Sequence, residues 1–175
     1  MKSNFTLQDE QFMKMAVDEA SISLHTGNFP CGAVLVVNNE VVGKSENKKE
    51  TNKDRVSHAE MLLYIEHSSL LKTAKKQGHT ITMYTTLEPC LMCFGSAVIH
   101  RVDRIVAATP DPLGNMSKVE GKELGQFYTN LPQLVYGLCF KESYDLIREY
   151  LLKADTGESR EYLELFEGIK IIYEN

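Results

Sequence analysis

Residues 32–44 read GAVLVVNNEVVGK, two short apolar runs on either side of an asparagine pair. Asparagine tolerates the left-handed backbone of a tight two-residue turn, so this stretch predicts a β-hairpin. The preceding residues predict a helix over 6–24, because Thr6 and Asp9 have the spacing of a capping box and apolar residues recur at every fourth position. The chain therefore opens with a helix and a hairpin that can pack against each other.

Strands and helices alternate after the hairpin. The pattern predicts helices over 57–76 (with a break near Ser68 and Ser69), 90–99 and 141–152, and strands over 81–85, 104–108 and 134–139. The polar segment 46–55 is predicted to be a loop, and the tail a helix over 159–166 followed by a strand over 168–173. This alternation is typical of the α/β class, with helices covering a central sheet.

The chain has the size and composition of one globular domain. It has 175 residues, 43% hydrophobic and 25% charged, values that exclude collagen, coiled coil and intrinsic disorder. No apolar run can cross a bilayer, and residues 1–7 lack the apolar core of a signal peptide, so we expect a cytoplasmic protein. We expect a domain over 1–154 and an extension over 155–175 that packs on the same domain or on a neighbouring subunit.

The charge balance argues mildly against a nucleic-acid partner. The chain has 19 basic and 24 acidic residues, a formal net charge of −5, whereas proteins that hold a large polyanion usually show a basic patch. Basic residues do cluster within 44–55 and 72–76. We interpret these clusters as a solvated loop and a solvated helix end.

Two short motifs carry the chemistry, His58-Ala59-Glu60 and Pro89-Cys90-Leu91-Met92-Cys93, each at the start of a predicted helix. Cys90 and Cys93 lie three residues apart, hence on one helix face, and the positive helix end favours their thiolates. With His58 as third donor they suit tetrahedral Zn²⁺, and three protein ligands leave a fourth position for a bound water or hydroxide. Glu60 is then placed to move the proton of that water.

Other interpretations of the cysteine pair explain less. A thioredoxin-like redox site has no use for His58 or Glu60, and a zinc ribbon needs a second pair of cysteines that the sequence lacks. A closed structural zinc site would have to recruit Cys31, Cys139 or another histidine as fourth ligand. We expect Cys31 and Cys139 to be small buried apolar residues within strands instead.

The two motifs resemble the signature of the zinc-dependent cytidine/deoxycytidylate deaminase superfamily. The resemblance implies a three-layer α/β/α fold with a central mixed sheet of about five strands, one Zn²⁺ per chain and a homodimer or higher oligomer. It implies that His58, Cys90 and Cys93 bind the metal and that Glu60 is the catalytic proton shuttle. The backbone at Ala59 and Cys90 and the side chain of Asn47 would bind substrate.

A loop after the predicted strand 104–108 adds two candidates. Ligands of open α/β sheets bind beyond the carboxyl ends of strands, so Asp111 and Asn115 are further candidates for contact with substrate. Phe29 is placed either at the pocket, as in related enzymes, or in the core, and the core is favoured.

The histidine ligand points to the branch that contains guanine, cytosine and tRNA adenosine deaminases. We expect a hydrolase of nucleobase metabolism that removes the exocyclic amine of a free base or nucleoside, guanine- or cytosine-like, and releases ammonia. A tRNA-specific adenosine deaminase is the alternative, and tRNA is disfavoured as a partner because the end of the chain is acidic. A non-catalytic zinc- or nucleotide-binding module on the same scaffold is the second alternative.

Overall fold

The computed structural model describes residues 5–114, 116–123 and 130–174. Its strands are β1 (Gly32–Val37), β2 (Glu40–Glu46), β3 (Ile81–Leu87), β4 (Arg104–Thr109) and β5 (Gln133–Tyr136). They form one sheet in the order β2-β1-β3-β4-β5. β1 pairs antiparallel with β2 and β3, and β4 pairs parallel with β3 and β5. The predicted mixed sheet of about five strands is confirmed.

Helices cover both faces of this sheet. Those of the described part of the chain are α1 (Leu7–His25), α2 (Lys49–Asn52), α3 (Ala59–Lys76), α4 (Leu91–Ile99), α5 (Phe140–Ala154) and α6 (Gly157–Glu174). α1 packs on one face, with α5 beside it, and α3 and α4 pack on the other. The three-layer α/β/α arrangement is confirmed. None of the described helices combines the length and apolar character that a membrane span requires.

β1 is the most completely covered strand, with all six residues buried. Ala33, Leu35 and Val37 belong to the core beneath α3 and α4. Val34 and Val36 belong to the core beneath α1. Its uninterrupted apolar sequence is therefore explained by burial on both faces, since successive side chains of a strand point to opposite sides.

The local signals at the start of the chain act as predicted. Asn38 and Asn39 have φ angles of 49° and 65°, the left-handed conformation expected of the hairpin turn. The Thr6 hydroxyl accepts from the backbone N–H of Asp9 at 3.0 Å, and the Asp9 carboxylate accepts from the backbone N–H of Thr6 at 2.8 Å. This reciprocal pair is the capping box that begins α1.

The sheet has two dissimilar edges. β2 is mostly exposed or half-buried and carries the charged residues Glu40, Lys44 and Glu46. Its register with β1 shifts between Leu35 and Val36, which marks a bulge in the pairing. β5, at the other edge, has only four residues.

The tail was predicted to end in a strand over 168–173, and that prediction is wrong. α6 is one continuous helix over Gly157–Glu174. Tyr162, Phe166 and Ile169 follow one another at helical spacing and pack against α5, where Phe166 is completely buried. Contact with α5 therefore decides in favour of helix over the strand-like composition of the last residues.

Three smaller predictions need correction. α3 continues without the predicted break near Ser68 and Ser69. The predicted loop 46–55 contains the single turn α2. The strand predicted over 134–139 ends at Tyr136, so Cys139 lies outside it. Cys139 precedes α5 with a φ of 55°, a conformation that no strand interior has.

Candidate active site

The two sequence motifs meet where two helices begin. His58 directly precedes α3, Cys90 directly precedes α4, and Cys93 lies in the first turn of α4. Among the described residues, neither His58 nor Cys90 makes a side-chain hydrogen bond that caps its own helix. The two atoms that could bind a metal, His58 Nδ1 and the Cys90 sulfur, face each other instead.

The spacing of the donor atoms fits Zn²⁺. The Cys90 sulfur lies 3.7 Å from the Cys93 sulfur and 3.7 Å from His58 Nδ1, and the Cys93 sulfur lies 3.6 Å from the same nitrogen. In a tetrahedral site with Zn–S bonds of about 2.3 Å and Zn–N bonds of about 2.1 Å, two ligand atoms lie about 3.6 to 3.8 Å apart. Within the described ranges, these three residues form the one group with metal-ligand spacing.

The three donors also change one another's protonation. The hydrogen bond with Cys93, assisted by His58, lowers the pKa of the Cys90 thiol to about 4 against the effect of burial. The hydrogen bond with Cys90, together with burial, raises the pKa of the Cys93 thiol. The bond with Cys90 likewise raises the pKa of His58. The lowered pKa of Cys90 favours its thiolate, the form in which cysteine binds a metal.

Glu60 lies beside the donors and is itself buried. One carboxylate oxygen is 3.6 Å from the Cys93 sulfur, and the other accepts a hydrogen bond of 3.2 Å from the Thr85 hydroxyl on β3. Only 3% of Glu60 is exposed, and this burial raises the pKa of its carboxyl. A buried carboxyl with a raised pKa suits proton exchange near neutral pH.

A cavity of about 240 Å³ opens beside these residues. It is smaller than the roughly 300–1,000 Å³ typical of pockets for drug-sized ligands, so its size suits a single ring system. Its lining combines His58, Glu60 and Cys90 with polar and aromatic residues from other elements, namely Asn47, Lys49, Glu88, Asp111, Phe29, Tyr150 and Tyr162. A larger hollow of about 570 Å³ lies at α3 and the β1–β2 hairpin, away from the metal ligands.

The substrate-binding candidates are placed as follows. Asn47 lines the cavity, but its amide donates to the Phe29 carbonyl at 3.1 Å and accepts from the Lys49 backbone at 3.0 Å. Ala59 is fully buried as the first residue of α3. Asp111 lines the cavity. Asn115 lies outside the described residues.

Phe29, for which the pocket and the core were both considered, lines the cavity and also packs against the core cluster of α5 and α6. Tyr150 of α5 and Tyr162 of α6 line the cavity as well, and the sequence did not indicate either of them. Glu88 fixes the neighbouring loop, because its carboxylate accepts from the backbone N–H groups of Asp111 and Met116 at 3.0 and 2.6 Å. The position of Glu88 immediately before Pro89 and Cys90 was the one available signal.

The chain matches known deaminases over its first two thirds. Residues 6–109 match the cytidine and deoxycytidylate deaminase zinc-binding region. The chain is 43% identical to a tRNA-specific adenosine deaminase of Bacillus subtilis (strain 168) over 110 residues, 63% of this chain and 67% of that protein. It is 36% identical to a tRNA-specific adenosine deaminase of Aquifex aeolicus (strain VF5) over 102 residues, 58% of this chain and 66% of that protein. The chain thus spans about two thirds of these relatives.

A solved structure from biochemical and structural studies of A-to-I editing by tRNA:A34 deaminases has the same fold. Its TM-score is 0.61 and its sequence identity 27%, over 78% of this chain and 98% of that chain. The predicted cytidine deaminase-like fold is therefore confirmed. The donor set and the family match together make the predicted zinc cofactor secure.

The prediction of a free base or nucleoside substrate, with tRNA disfavoured as a partner, is wrong. The relatives at 43% and 36% identity are tRNA-specific adenosine deaminases. That prediction rested on the net charge and on the acidic residues of α6, which lies beyond the matched residues 6–109. A net charge taken over the whole chain does not describe the surface next to the pocket.

Proposed function

The chain belongs to the cytidine and deoxycytidylate deaminase family and is a zinc-dependent deaminase, and we propose that its substrate is an adenosine in the anticodon loop of a tRNA. Hydrolysis would replace the exocyclic amine by a carbonyl, which converts adenosine to inosine and releases ammonia. The observation that carries the proposal is the arrangement of His58, Cys90 and Cys93 next to Glu60 and a pocket of about 240 Å³. It occurs in a chain 43% identical to a tRNA-specific adenosine deaminase.

Each residue of the pocket has a part in this proposal. His58, Cys90 and Cys93 hold zinc, which when bound lowers the pKa of water so that a hydroxide nucleophile is available at neutral pH. Glu60 takes up one proton of the attacking water at its buried carboxylate and delivers it to a ring nitrogen, and it then carries the second proton of that water to the amine, which departs as ammonia. The backbone of Ala59 holds the base, together with Asn47, whose amide keeps a second N–H and a second acceptor lone pair beyond its two backbone hydrogen bonds.

The size of the pocket supports entry of one base at a time. Deaminases that act on nucleic acid take the target base out of its stack before reaction, and bases of a single-stranded loop are the least costly to extract. A cavity of about 240 Å³ suits one extruded base, while the adjoining ribose and phosphates stay at the protein surface.

Basic residues next to the pocket support contact with the phosphate backbone. Lys49 lines the cavity, and Lys53 and Arg55 are exposed a few residues further on. Lys48 lies 3.2 Å from Glu46 and Lys49 lies 3.8 Å from Glu50, so each is partly neutralised, the closer pair more strongly. We propose that Lys49, Lys53 and Arg55 face the RNA, and that this local positive surface outweighs the net negative charge.

Inosine formation in a transcribed tRNA tests the proposal. Zinc-loaded protein should convert one anticodon adenosine of an adenosine-34 tRNA and of its isolated stem-loop, and the same RNA with guanosine at that position is the control. Preferential ammonia release from free guanine, cytosine or cytidine, with no reaction on either RNA, would exclude this function.

Binding of the anticodon stem-loop tests the proposed contact of Lys49, Lys53 and Arg55 with RNA. Replacing Lys53 by Gln should weaken stem-loop binding and reduce the slope of log binding constant against log salt by about 0.7, the effect of one lost contact to a single-stranded phosphate. The cytoplasmic location and the homodimer or higher oligomer expected from the sequence belong to the same proposal.

A further inference from the structure

The C-terminal helix contributes a wall of the pocket. Tyr162 of α6 lines the same cavity as His58, Glu60 and Cys90. Its hydroxyl donates a hydrogen bond of 3.0 Å to Asp111 Oδ1, on the loop after β4. Glu88 holds that loop through the backbone of Asp111. The Tyr162–Asp111 bond therefore joins α6 directly to the rim of the metal pocket.

Aromatic packing holds α6 in this position. Phe166 is completely buried and stacks on Tyr144 of α5 with ring centroids 4.9 Å apart. Tyr162 lies 5.9 Å from the ring of Phe166 and meets the ring of Phe29 edge-on at 6.5 Å. The base of α6 is thus fixed by apolar contacts, whereas its contact with the pocket rim includes one polar bond.

The outer surface of α6 is acidic. Glu158, Glu161 and Glu164 are exposed on it, and the exposed Arg160 is paired with Asp155 at 2.8 Å. An RNA loop that delivers a base to the cavity would bring phosphates close to these carboxylates, and like charges repel.

We propose that Tyr162 is a specificity-determining residue whose hydrogen bond to Asp111 holds the first turns of α6 against the pocket rim, and that RNA enters only when this bond is broken and those turns move away while Phe166 stays packed on α5. The proposal rests on the proposed tRNA function. α6 lies beyond the matched residues 6–109, so this control of access belongs to the part of the chain that the family pattern leaves out.

Tyr162→Phe is the test, because it removes the hydroxyl and keeps the ring that packs against Phe29 and Phe166. A hydrogen bond to a carboxylate contributes enough to change an opening equilibrium about tenfold. We expect amide hydrogen exchange over residues 158–166 to rise about tenfold in the substrate-free protein. We expect kcat/KM for the anticodon stem-loop to rise by about the same factor.

Arg148→Gln is the matched control, because it removes an exposed α5–α6 ion pair, Arg148 to Glu167 at 3.3 Å, that lies outside the cavity lining. Exposed pairs contribute little, so both measurements should stay within twofold of the unsubstituted protein. Zinc content and thermal unfolding of both variants establish that the fold is intact.

The outcomes separate this proposal from the function on which it rests. An active parent protein whose stem-loop kcat/KM is unchanged or lower in Tyr162→Phe overturns the proposal, and a lower value assigns Tyr162 to substrate binding. Unchanged hydrogen exchange in α6 overturns it as well. If the zinc-loaded parent and both variants leave the stem-loop unreacted, the tRNA function fails and the proposed control of RNA entry fails with it.

Discussion

Glu60 is the residue on which the chemistry depends most directly. Its carboxyl is buried between the Cys93 sulfur and the Thr85 hydroxyl, at 3.6 and 3.2 Å. Burial of a carboxyl is costly, and the metal charge at the adjacent ligands would offset that cost. A position that is unfavourable for folding alone is typical of a residue retained for catalysis.

Replacing Glu60 by Gln should abolish proton transfer and preserve shape. We expect unchanged zinc content and a decrease in kcat of at least about a hundredfold, the usual contribution of a general acid–base. Inosine formation and metal analysis measure the two effects. Glu66→Gln, at an exposed position on the same helix, is the control and should react like the parent. Parent-like turnover of Glu60→Gln would remove Glu60 from the mechanism.

The metal donors were predictable from sequence because short spacing fixes their geometry. Cys90 and Cys93 are brought together by one helical turn. His58 reaches them because α3, which begins directly after it, starts close to the start of α4. Tyr150 and Tyr162 could not be predicted in the same way. Tyr162 bonds to Asp111, 51 residues away in sequence, and both tyrosines contact the ring of Phe29 near the start of the chain. Their helical spacing is also that of ordinary core residues.

At the level of elements, the contact between β1 and α1 is unusually close. A Cβ atom at Gly32 would lie 2.1 Å from the Ala16 carbonyl oxygen and 2.4 Å from the Ala20 backbone nitrogen. Both obstacles are backbone atoms of α1, so no side-chain rotation can relieve the overlap. Gly32 therefore allows α1 to approach the start of β1, next to the cavity residue Cys31.

Gly32→Ala should force α1 away from the sheet. We expect a loss of about 3 kcal/mol or more in the free energy of unfolding, at the upper end for overpacked sites. Gly95→Ala is the matched control, because its Cβ would meet no heavy atom within 4 Å and alanine favours the interior of a helix. Urea unfolding compares the two variants, and a Gly32→Ala protein as stable as the parent would contradict the close contact.

Elements with strong local signals were predicted well, and those that depend on distant contacts were not. The asparagine turn and the capping box act within a few residues. α6 contains strand-like residues and becomes helical on contact with α5. β5 ends early because Gly137, with a φ of 101°, and Cys139 turn the chain into α5.

Across the whole molecule, a buried carboxylate connects the first helix to the sheet. Asp9 Oδ1 accepts hydrogen bonds of 2.6 Å from the Tyr84 hydroxyl on β3 and of 2.6 Å from the Arg104 guanidinium on β4. Burial alone would raise the pKa of Asp9. The bonds from Tyr84, the Thr6 backbone and Arg104 outweigh it and lower the pKa from 3.8 to about 2.

This shift predicts an acid-labile contribution to stability. The folded pKa of about 2 lies below the ordinary 3.8, so the contribution is fully present above about pH 4 and is lost as the pH falls towards 2. Its size is about 2 kcal/mol. The midpoint temperature of thermal unfolding should therefore decrease less steeply from pH 6 to pH 2 in Asp9→Asn than in the parent. Asp18→Asn, on the same helix, is the control and should show the same dependence of the unfolding midpoint on pH as the parent. An equal dependence in Asp9→Asn would contradict the acid-labile contribution of Asp9.

The edges of the sheet have a consequence for behaviour at high concentration. An exposed, regular strand edge offers unpaired N–H and C=O groups to any second chain, and such edges seed intermolecular aggregation. Here one edge carries three charged residues and pairs irregularly with its neighbour, and the other is only four residues long. Neither edge is a good template for adding a foreign strand, so concentrated samples are protected from fibril-like growth through the sheet.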